Sequence, residues 1–154
     1  MPSELTKDKL KLILTPYRLD IAIKARFISS LLHGGDEQAA INYKLHIMQR
    51  TGGVEPRSTK RCVKDYINAL RALVESMQKR GFDARYPIRV DESNHLRRGA
   101  HRLACGIVLG VIMFWAPSRP ARHFRPWGRV QLADAGISAA DIERAEREIS
   151  AWKS

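Results

Sequence analysis

The sequence is poor in the residues that several common chemistries need. It has two cysteines, Cys62 and Cys105, which lie far apart and belong to no CxxC pair, so neither a zinc site nor a redox pair is expected. Acidic residues number 16 against 27 lysines and arginines, which gives a net charge of +11. This shortage of acid favours an anionic partner: a nucleotide, a nucleic acid, an anionic membrane surface or a phosphorylated sugar.

Long apolar segments are also scarce. The main one, 104–117, is too short to span a bilayer and is closed by Pro117. The sequence shows no signal peptide, P-loop, Ser-His-Asp signature, internal repeat or low-complexity tract. We therefore expect a protein of the reducing cytoplasm with no transmembrane segment.

Apolar residues are nevertheless sufficient for a folded core, because 44% of the 154 residues are hydrophobic. Helical spacing of these residues predicts several helices. The first two are expected at 3–14 and from Thr15-Pro16 to Gly34-Gly35, with Thr15 as N-cap. Further helices are expected at 36–51, with Ile41, Leu45 and Met48 facing inward, at 58–80, after Gly99 as far as Gly110, and after Ser138.

Two short β-branched or aromatic segments, 88–90 and 111–115, are predicted to be strands. We divide the chain, as one domain, into a helical N-terminal region (1–57), a core (58–117), and a basic loop with a C-terminal helix (118–154). Charge is uneven along it. Between Lys79 and Arg129, eleven lysines and arginines face three acids, a local excess of +8.

The segment from Tyr86 to Val111 carries the strongest functional signal. It is predicted to run from a strand through a polar turn into a helix that opens with Gly99, Ala100, His101 and Arg102. Glycine lets backbone N–H groups approach a ligand, and a helix start offers unpaired donors at the positive end of its dipole. The basic side chains add further donors. The segment therefore predicts a phosphate-binding cradle, with an ordinary strand-to-helix turn as the alternative.

These residues resemble a known superfamily. A strand ending in an acidic residue, then a short turn and G-x-H-R at a helix start, is similar to the ParB/sulfiredoxin-like superfamily. The segment 18–24 and the helix 58–80, followed by Gly-Phe-Asp, are similar to ParB-like proteins that accompany bacterial surface-polysaccharide genes. The resemblance covers 14–111 and implies an α+β fold: a small mixed sheet surrounded by helices, with a helical N-terminal extension.

The resemblance also implies a function. The superfamily includes sulfiredoxins, ParB-type partition proteins and kinases of free serine. Sulfiredoxin chemistry needs a cysteine where this chain has Ala100. The leading hypothesis is a phosphotransferase that uses ATP or a related nucleotide with Mg²⁺ to phosphorylate a hydroxyl of a small molecule or sugar. A glycan-assembly enzyme is then an expected partner.

Site residues follow from the same resemblance. His101 is expected to stabilise the transferring phosphoryl group. Lys60 lies on a helix that borders the nucleotide in related proteins, although lysines on a helix often form only a solvated face. The expected nucleotide-binding residues are Gly99, Ala100, His101, Arg102, Arg98, Lys60, Arg18 and Ser76.

Asp20 is the first candidate for the general base and for the Mg²⁺ ligand, because a carboxylate can take the hydroxyl proton or hold the ion. Its i,i+4 spacing from Lys24 is equally consistent with a surface salt bridge. Glu55, in the connector between two predicted helices, is the competing candidate for the base.

A rival function is a ParB-like nucleic-acid-binding or regulatory nucleotide-binding module without catalysis. The basic loop 117–128, with Phe124 and Trp127 among its arginines, suits nucleic acid, a phosphorylated or lipid-linked glycan, or simple packing on the domain. No separate helix-turn-helix segment follows Val111. We therefore expect nucleic-acid contact to be weak and non-specific.

Overall fold

A computed structural model describes residues 1–51, 60–120 and 125–154. These residues form a mixed α+β structure of seven helices and four short strands. The helices are α1 (Lys7–Ile13), α2 (Asp20–His33), α3 (Glu37–Thr51), α4 (Val63–Arg80), α5 (Ala100–Leu109), α6 (Arg129–Asp134) and α7 (Ala139–Trp152). The strands are β1 (Ser3–Glu4), β2 (Ile88–Val90), β3 (Leu96–Arg98) and β4 (Phe114–Pro117).

The four strands form one mixed sheet in the order β1-β4-β2-β3. The two central strands, β2 and β4, are parallel, and each pairs with an antiparallel edge strand. Neither edge strand was predicted. β1 places Ser3 opposite Trp115, so the N-terminal region, expected to be helical, also contributes to the sheet.

α2 is the helix around which the others pack. It buries Ile21, Phe27 and Ile28 almost completely and contacts α3, α5 and α7. It ends at Gly34, which has a positive φ of 73° that suits glycine. The predicted end of this helix is therefore confirmed.

The predicted start of α2 at Thr15-Pro16 is wrong, because the helix begins only at Asp20. The backbone N–H of Trp127 donates to the carbonyl of Tyr17 (2.7 Å), and the N–H of Leu19 donates to the carbonyl of Trp127 (2.9 Å). A backbone that pairs with a distant segment cannot also make the bonds of a first helical turn. Arg18 consequently precedes the helix and does not lie on it.

The predicted inner face of α3 is wrong at two of its three residues. Ile41 and Met48 are 48% and 50% exposed, and only Leu45 packs against the core, whereas Asn42 and His46 are buried. Burial of these polar side chains is possible because they have partners: the Asn42 amide, for example, donates to the Asp141 carboxylate at 2.9 Å. Hydrophobicity alone therefore selected the wrong side of this helix.

The core region of the chain agrees more closely with the sequence. α4 ends at Gly81, and α5 lies between Gly99 and Gly110, as predicted. The predicted start of α4 at residue 58 is wrong, because residues 60–62 are not helical and Cys62, in an extended conformation, is the N-cap of a helix that begins at Val63. β2 matches its prediction, whereas β4 is shifted to Phe114–Pro117.

At the C-terminal end, α6 was not predicted and α7 was. The hydroxyl of Ser138 accepts from the N–H of Asp141 at 3.2 Å, which caps α7 as expected. Across the helices of residues 1–51, 60–120 and 125–154, none combines the length and apolar character required to cross a membrane.

Candidate anion-binding site

A cavity of about 710 Å³ lies between the start of α5, the first turns of α4 and the chain around Arg18 and Trp127. We call it the basic cavity, because one acid, Asp20, is the only carboxylate among its described lining residues. Its cationic lining residues are Arg18, Arg50, Lys60, Arg97, Arg98, Arg102 and Arg125. Such an excess of one charge in a concave surface concentrates anions.

The predicted cradle forms one wall of this cavity. Gly99 has a φ of 94°, and a Cβ atom there would lie 3.0 Å from a terminal nitrogen of Arg102 and 3.3 Å from Ile88. Glycine is therefore required by both conformation and space. No side chain of the described residues caps the helix at Gly99, so backbone N–H groups of the first turn remain as donors beside the cavity.

Arg102 is the half-buried cation of this wall. Its Nη2 lies 3.4 Å from the carbonyl of Pro87, and its Nε is buried with no hydrogen-bond partner among the described residues. Burial, with the nearby charge of Arg98, lowers the pKa of Arg102 from its ordinary value. A buried donor without a partner costs free energy.

His101 lies beside Arg102 and is neutral near pH 7. Burial lowers the pKa of His101 well below its usual value, and the charges of Lys24 and Arg50 lower it further. Its Nε2 lies 2.9 Å from the hydroxyl oxygen of Tyr43, which fixes the ring. In the tautomer whose Nε2 accepts from the Tyr43 hydroxyl, Nδ1 of His101 carries the proton and is a hydrogen-bond donor, but the ring contributes no positive charge at that pH.

Asp20 is 1% exposed and fully engaged. Arg18 donates to its two carboxylate oxygens from Nε (2.9 Å) and Nη2 (2.8 Å), and Lys24 donates from Nζ at 2.6 Å. Burial opposes ionisation, but these two cations hold the pKa of Asp20 well below its usual range. The i,i+4 salt bridge considered from sequence is present, although it is buried rather than at the surface.

This geometry does not favour Asp20 as a base or as a metal ligand. A carboxylate with a lowered pKa takes up a proton poorly, and both of its oxygens already accept hydrogen bonds. Magnesium is usually held by one or two carboxylates together with phosphates, and both oxygens of Asp20 are already engaged by Arg18 and Lys24. Asp20 instead orients Arg18 at the cavity.

The contacts of Asp20 continue into the interior. Lys24 Nζ lies 3.0 Å from Nε2 of His46, whose ring packs edge-on against Trp127 at 4.6 Å between centroids. Burial lowers the pKa of Lys24 to about 8, although the carboxylate of Asp20 opposes this. Burial also lowers the pKa of His46 well below its usual value, with Lys24 contributing. We call Arg18, Asp20, Lys24 and His46 the cavity network.

The structure brings together most of the site residues predicted from sequence. Arg18, Lys60 and Arg98 line the basic cavity together with the cradle. Ser76 does not: it lies further along α4 and is not among the lining residues. Glu55 lies outside the described residues.

Nine described lining residues were not predicted as site residues: Arg50, Tyr66, Ala69, Leu70, Leu73, Leu96, Arg97, Arg125 and Trp127. Arg125 and Trp127 belong to the loop whose basic and aromatic composition had suggested an anionic partner, so a signal for them existed. Arg50, in the last turn of α3, and Tyr66, on α4, carried no signal in the sequence, because their role depends on how two helices meet.

Comparison of the chain with protein-family models, with curated proteins and with solved structures finds no match. The geometry of the basic cavity and the residues around Gly99 are therefore the features that indicate a function.

Proposed function

We propose that the basic cavity binds the phosphates of a nucleotide and that the protein transfers a phosphoryl group to a hydroxyl. The observation that carries this proposal is the meeting of the α5 start with seven arginine and lysine side chains in one cavity. Backbone donors, a half-buried arginine and a left-handed glycine are the elements from which phosphate sites are built.

The size of the cavity agrees with this ligand. Its volume of about 710 Å³ lies within the range of roughly 300–1,000 Å³ common for small-molecule sites. Besides its polar groups, the cavity lining has an apolar part, which is formed by Ala69, Leu70, Leu73 and Leu96. A nucleotide is divided in the same way, into charged phosphates at one end and an uncharged base at the other.

In the proposed reaction, the acceptor oxygen bonds to the γ-phosphorus of ATP while the bond from that phosphorus to the bridging oxygen breaks. ADP leaves with the bonding electrons, and the hydroxyl proton passes to a base. Arginines of the cavity and the neutral His101 would stabilise the charge that develops on the phosphoryl oxygens. Glu55 remains the candidate for the base, and no step is assigned to magnesium.

The fold and the biological setting are proposed on the resemblance. The sequence of β2, a polar turn, a G-x-H-R helix start and a parallel β4 supports a ParB/sulfiredoxin-like arrangement. A sugar or small-molecule acceptor, a role beside glycan-assembly enzymes and a cytoplasmic location follow from the same resemblance.

A second candidate is a nucleotide-binding module without catalysis. One observation favours it: the carboxylate nearest the cradle, Asp20, is held by Arg18 and Lys24. Contact with nucleic acid would in either case be electrostatic, and it should weaken steeply as salt is added.

The test is nucleotide affinity and hydrolysis for the wild type, Arg102→Lys and His101→Ala, with the exposed Arg71→Lys on α4 as the matched control. Lysine cannot reproduce a bidentate guanidinium contact, so Arg102→Lys should bind ATP roughly tenfold or more weakly. His101→Ala should lower turnover more than affinity. Circular dichroism would verify the fold of each variant.

Equal ATP affinity in wild type and Arg102→Lys would contradict phosphate binding at the cradle. Tight binding without hydrolysis or transfer to any hydroxyl compound would instead select the non-catalytic module. A ligand that binds only the folded state also raises the melting temperature, which gives an independent measure of binding.

A further inference from the structure

The histidine of the cradle is held by a tyrosine from another helix. The hydroxyl oxygen of Tyr43, on α3, lies 2.9 Å from Nε2 of His101, at the start of α5. The two rings also meet edge-on, with 5.8 Å between their centroids. Tyr43 is not among the described residues that line the basic cavity, so it would act on a ligand there through His101.

Packing fixes the position of the Tyr43 hydroxyl. The side chain is fully buried, and its ring stacks on that of Phe27 in α2, with 4.6 Å between centroids and 24° between planes. Burial raises the pKa of the Tyr43 hydroxyl above its ordinary value, so the oxygen keeps its proton at neutral pH. A rigid hydroxyl that carries a proton therefore contacts one nitrogen of the His101 ring.

The hydrogen bond between the two side chains has one direction that leaves no buried proton without an acceptor. Among the described residues, Nε2 of His101 is the only acceptor for the hydroxyl hydrogen of Tyr43. If Nε2 instead carried a proton and donated it to the hydroxyl oxygen, the buried hydroxyl hydrogen would have no partner, which is costly. Neutral histidine has one donor and one acceptor nitrogen, so accepting at Nε2 places the proton on Nδ1.

The second ring nitrogen, Nδ1, is accessible to a ligand. His101 is half-buried and lines the basic cavity. Its Nδ1 makes no hydrogen bond with the described residues, and it is not one of their fully buried atoms that lack a partner. The donors beside it are the backbone N–H groups of the first turn of α5 and the guanidinium of Arg102. A further donor at Nδ1 completes a set that suits oxygens carrying no proton.

We propose that Tyr43 is a positioning residue, which holds His101 in the tautomer with its proton on Nδ1 and so makes the histidine a donor to an unprotonated phosphate oxygen. This inference rests on the proposed function, and it assigns His101 the role of hydrogen-bond donor instead of proton acceptor. A base at this position would need an unprotonated nitrogen facing the ligand, whereas Nε2 is occupied by Tyr43. The hydroxyl proton of the acceptor must then pass to a separate base, as in the proposed reaction.

Nitrogen-15 NMR of the full chain, labelled at its histidines, measures the tautomer directly at neutral pH. Protonated and unprotonated ring nitrogens resonate far apart, and the signals that disappear in His101→Asn belong to His101. We expect a proton on Nδ1 and none on Nε2 in the wild type. Tyr43→Phe should increase the share of the other tautomer, because the hydrogen bond that selects the first one is lost. The exposed control Tyr86→Phe should leave the tautomer unchanged.

Binding and turnover of ATP test whether the position of the donor matters. Loss of the hydrogen bond in Tyr43→Phe should weaken ATP binding about threefold and lower turnover about tenfold, and Tyr86→Phe should change neither. An asparagine amide can place its N–H near the position of Nδ1, and a glutamine amide near that of Nε2. His101→Asn should therefore retain more ATP affinity than His101→Gln.

A double variant separates positioning from a general packing effect. In the His101→Asn background no tautomer remains to be selected, so Tyr43→Phe should change ATP affinity by less than about twofold there. An effect on packing alone would be added in both backgrounds. The melting temperature of each variant reports its stability separately. If Tyr43→Phe does not fold, the wild-type spectrum and the comparison of His101→Asn with His101→Gln still decide the question.

Three results would overturn the proposal: a wild-type His101 with its proton on Nε2, equal ATP affinity in His101→Asn and His101→Gln, or an equal effect of Tyr43→Phe in both backgrounds. ATP binding that depends on Arg102 but not on Tyr43 would contradict this proposal and leave the proposed function standing. A wild type that binds no ATP would contradict the proposed function, and with it the phosphate ligand of His101.

Discussion

Two ion networks are built on α2, and they are balanced in opposite ways. In the first, which we call the packing network, Arg26 donates to both oxygens of Asp36 at 2.8 and 3.0 Å and to Asp141 at 3.0 Å. In the packing network, one cation therefore forms hydrogen bonds with two carboxylates. In the cavity network, one carboxylate, Asp20, serves two cations, Arg18 and Lys24.

The difference shows how one helix serves both stability and binding. The packing network joins α2 to the start of α3 and to α7, and its members are partly exposed. The cavity network is nearly fully buried, and its outermost member, Arg18, also donates to the carbonyl of Leu96 at 3.1 Å. Arg18 is therefore held at the cavity before any ligand arrives, and this preorganisation is what favours electrostatic binding.

The largest expected effect comes from removing the single carboxylate of the cavity network. Asp20→Asn leaves Arg18 and Lys24 buried without an anion, and breaking a buried pair in this way should cost about 3–5 kcal/mol of unfolding free energy. Urea denaturation would measure the loss. Asp36→Asn, the matched change in the partly exposed packing network, should cost less, and equal losses for the two variants would contradict the contrast.

A smaller effect is expected from the cation of the packing network. Arg26→Met leaves Asp36 and Asp141 without their shared partner, but both are partly exposed and keep other donors, so the loss should be about 1–3 kcal/mol. ATP affinity should be unchanged, whereas Arg102→Lys should show the reverse pattern. A reduced ATP affinity in Arg26→Met would show that the two networks are coupled.

The smallest effect is a dependence of stability on pH that comes from Lys24 of the cavity network. Lys24 has a pKa of about 8 when folded and near 10.5 when unfolded, so between these values the unfolded chain binds more protons. The contribution of Lys24 to the unfolding free energy should then rise with pH, by about 2 kcal/mol between pH 7.5 and 9.5. The buried Cys105 thiol, whose pKa is raised to about 11, offsets part of this rise in the wild type and in the Lys24 variant alike. Urea denaturation across this range should show the rise in the wild type and a smaller one in Lys24→Met; equal slopes would contradict it.

Sequence predicted the parts of the fold that depend on local chemistry. Gly34, Gly81 and Gly110 were placed correctly as helix ends because each adopts a positive φ that other residues avoid. The cradle was predicted for the same reason, since Gly99 and its neighbours are consecutive in sequence.

The errors arose where a distant residue decides the outcome. Thr15-Pro16 is a good helix start by local rules, but pairing of Leu19 with Trp127 delays the helix. His46 was not predicted to be buried because its partner, Lys24, lies on another helix. Tyr66 was missed for the same reason, because the spacing of residues in sequence does not show which of them lie beside a cavity.

The pairing of β1 with β4 has a consequence for biosynthesis. Ser3 lies opposite Trp115 in the sheet, and the N–H of Leu5 donates to the carbonyl of Met113 at 2.8 Å. A chain emerges from the ribosome N-terminus first, so β1 must wait until β4 has been made before it can pair. Until then, Ile13 and Leu14 lack part of the core that buries them. β1 is thus synthesised before its partner and can pair only later, and such long-range contacts slow folding.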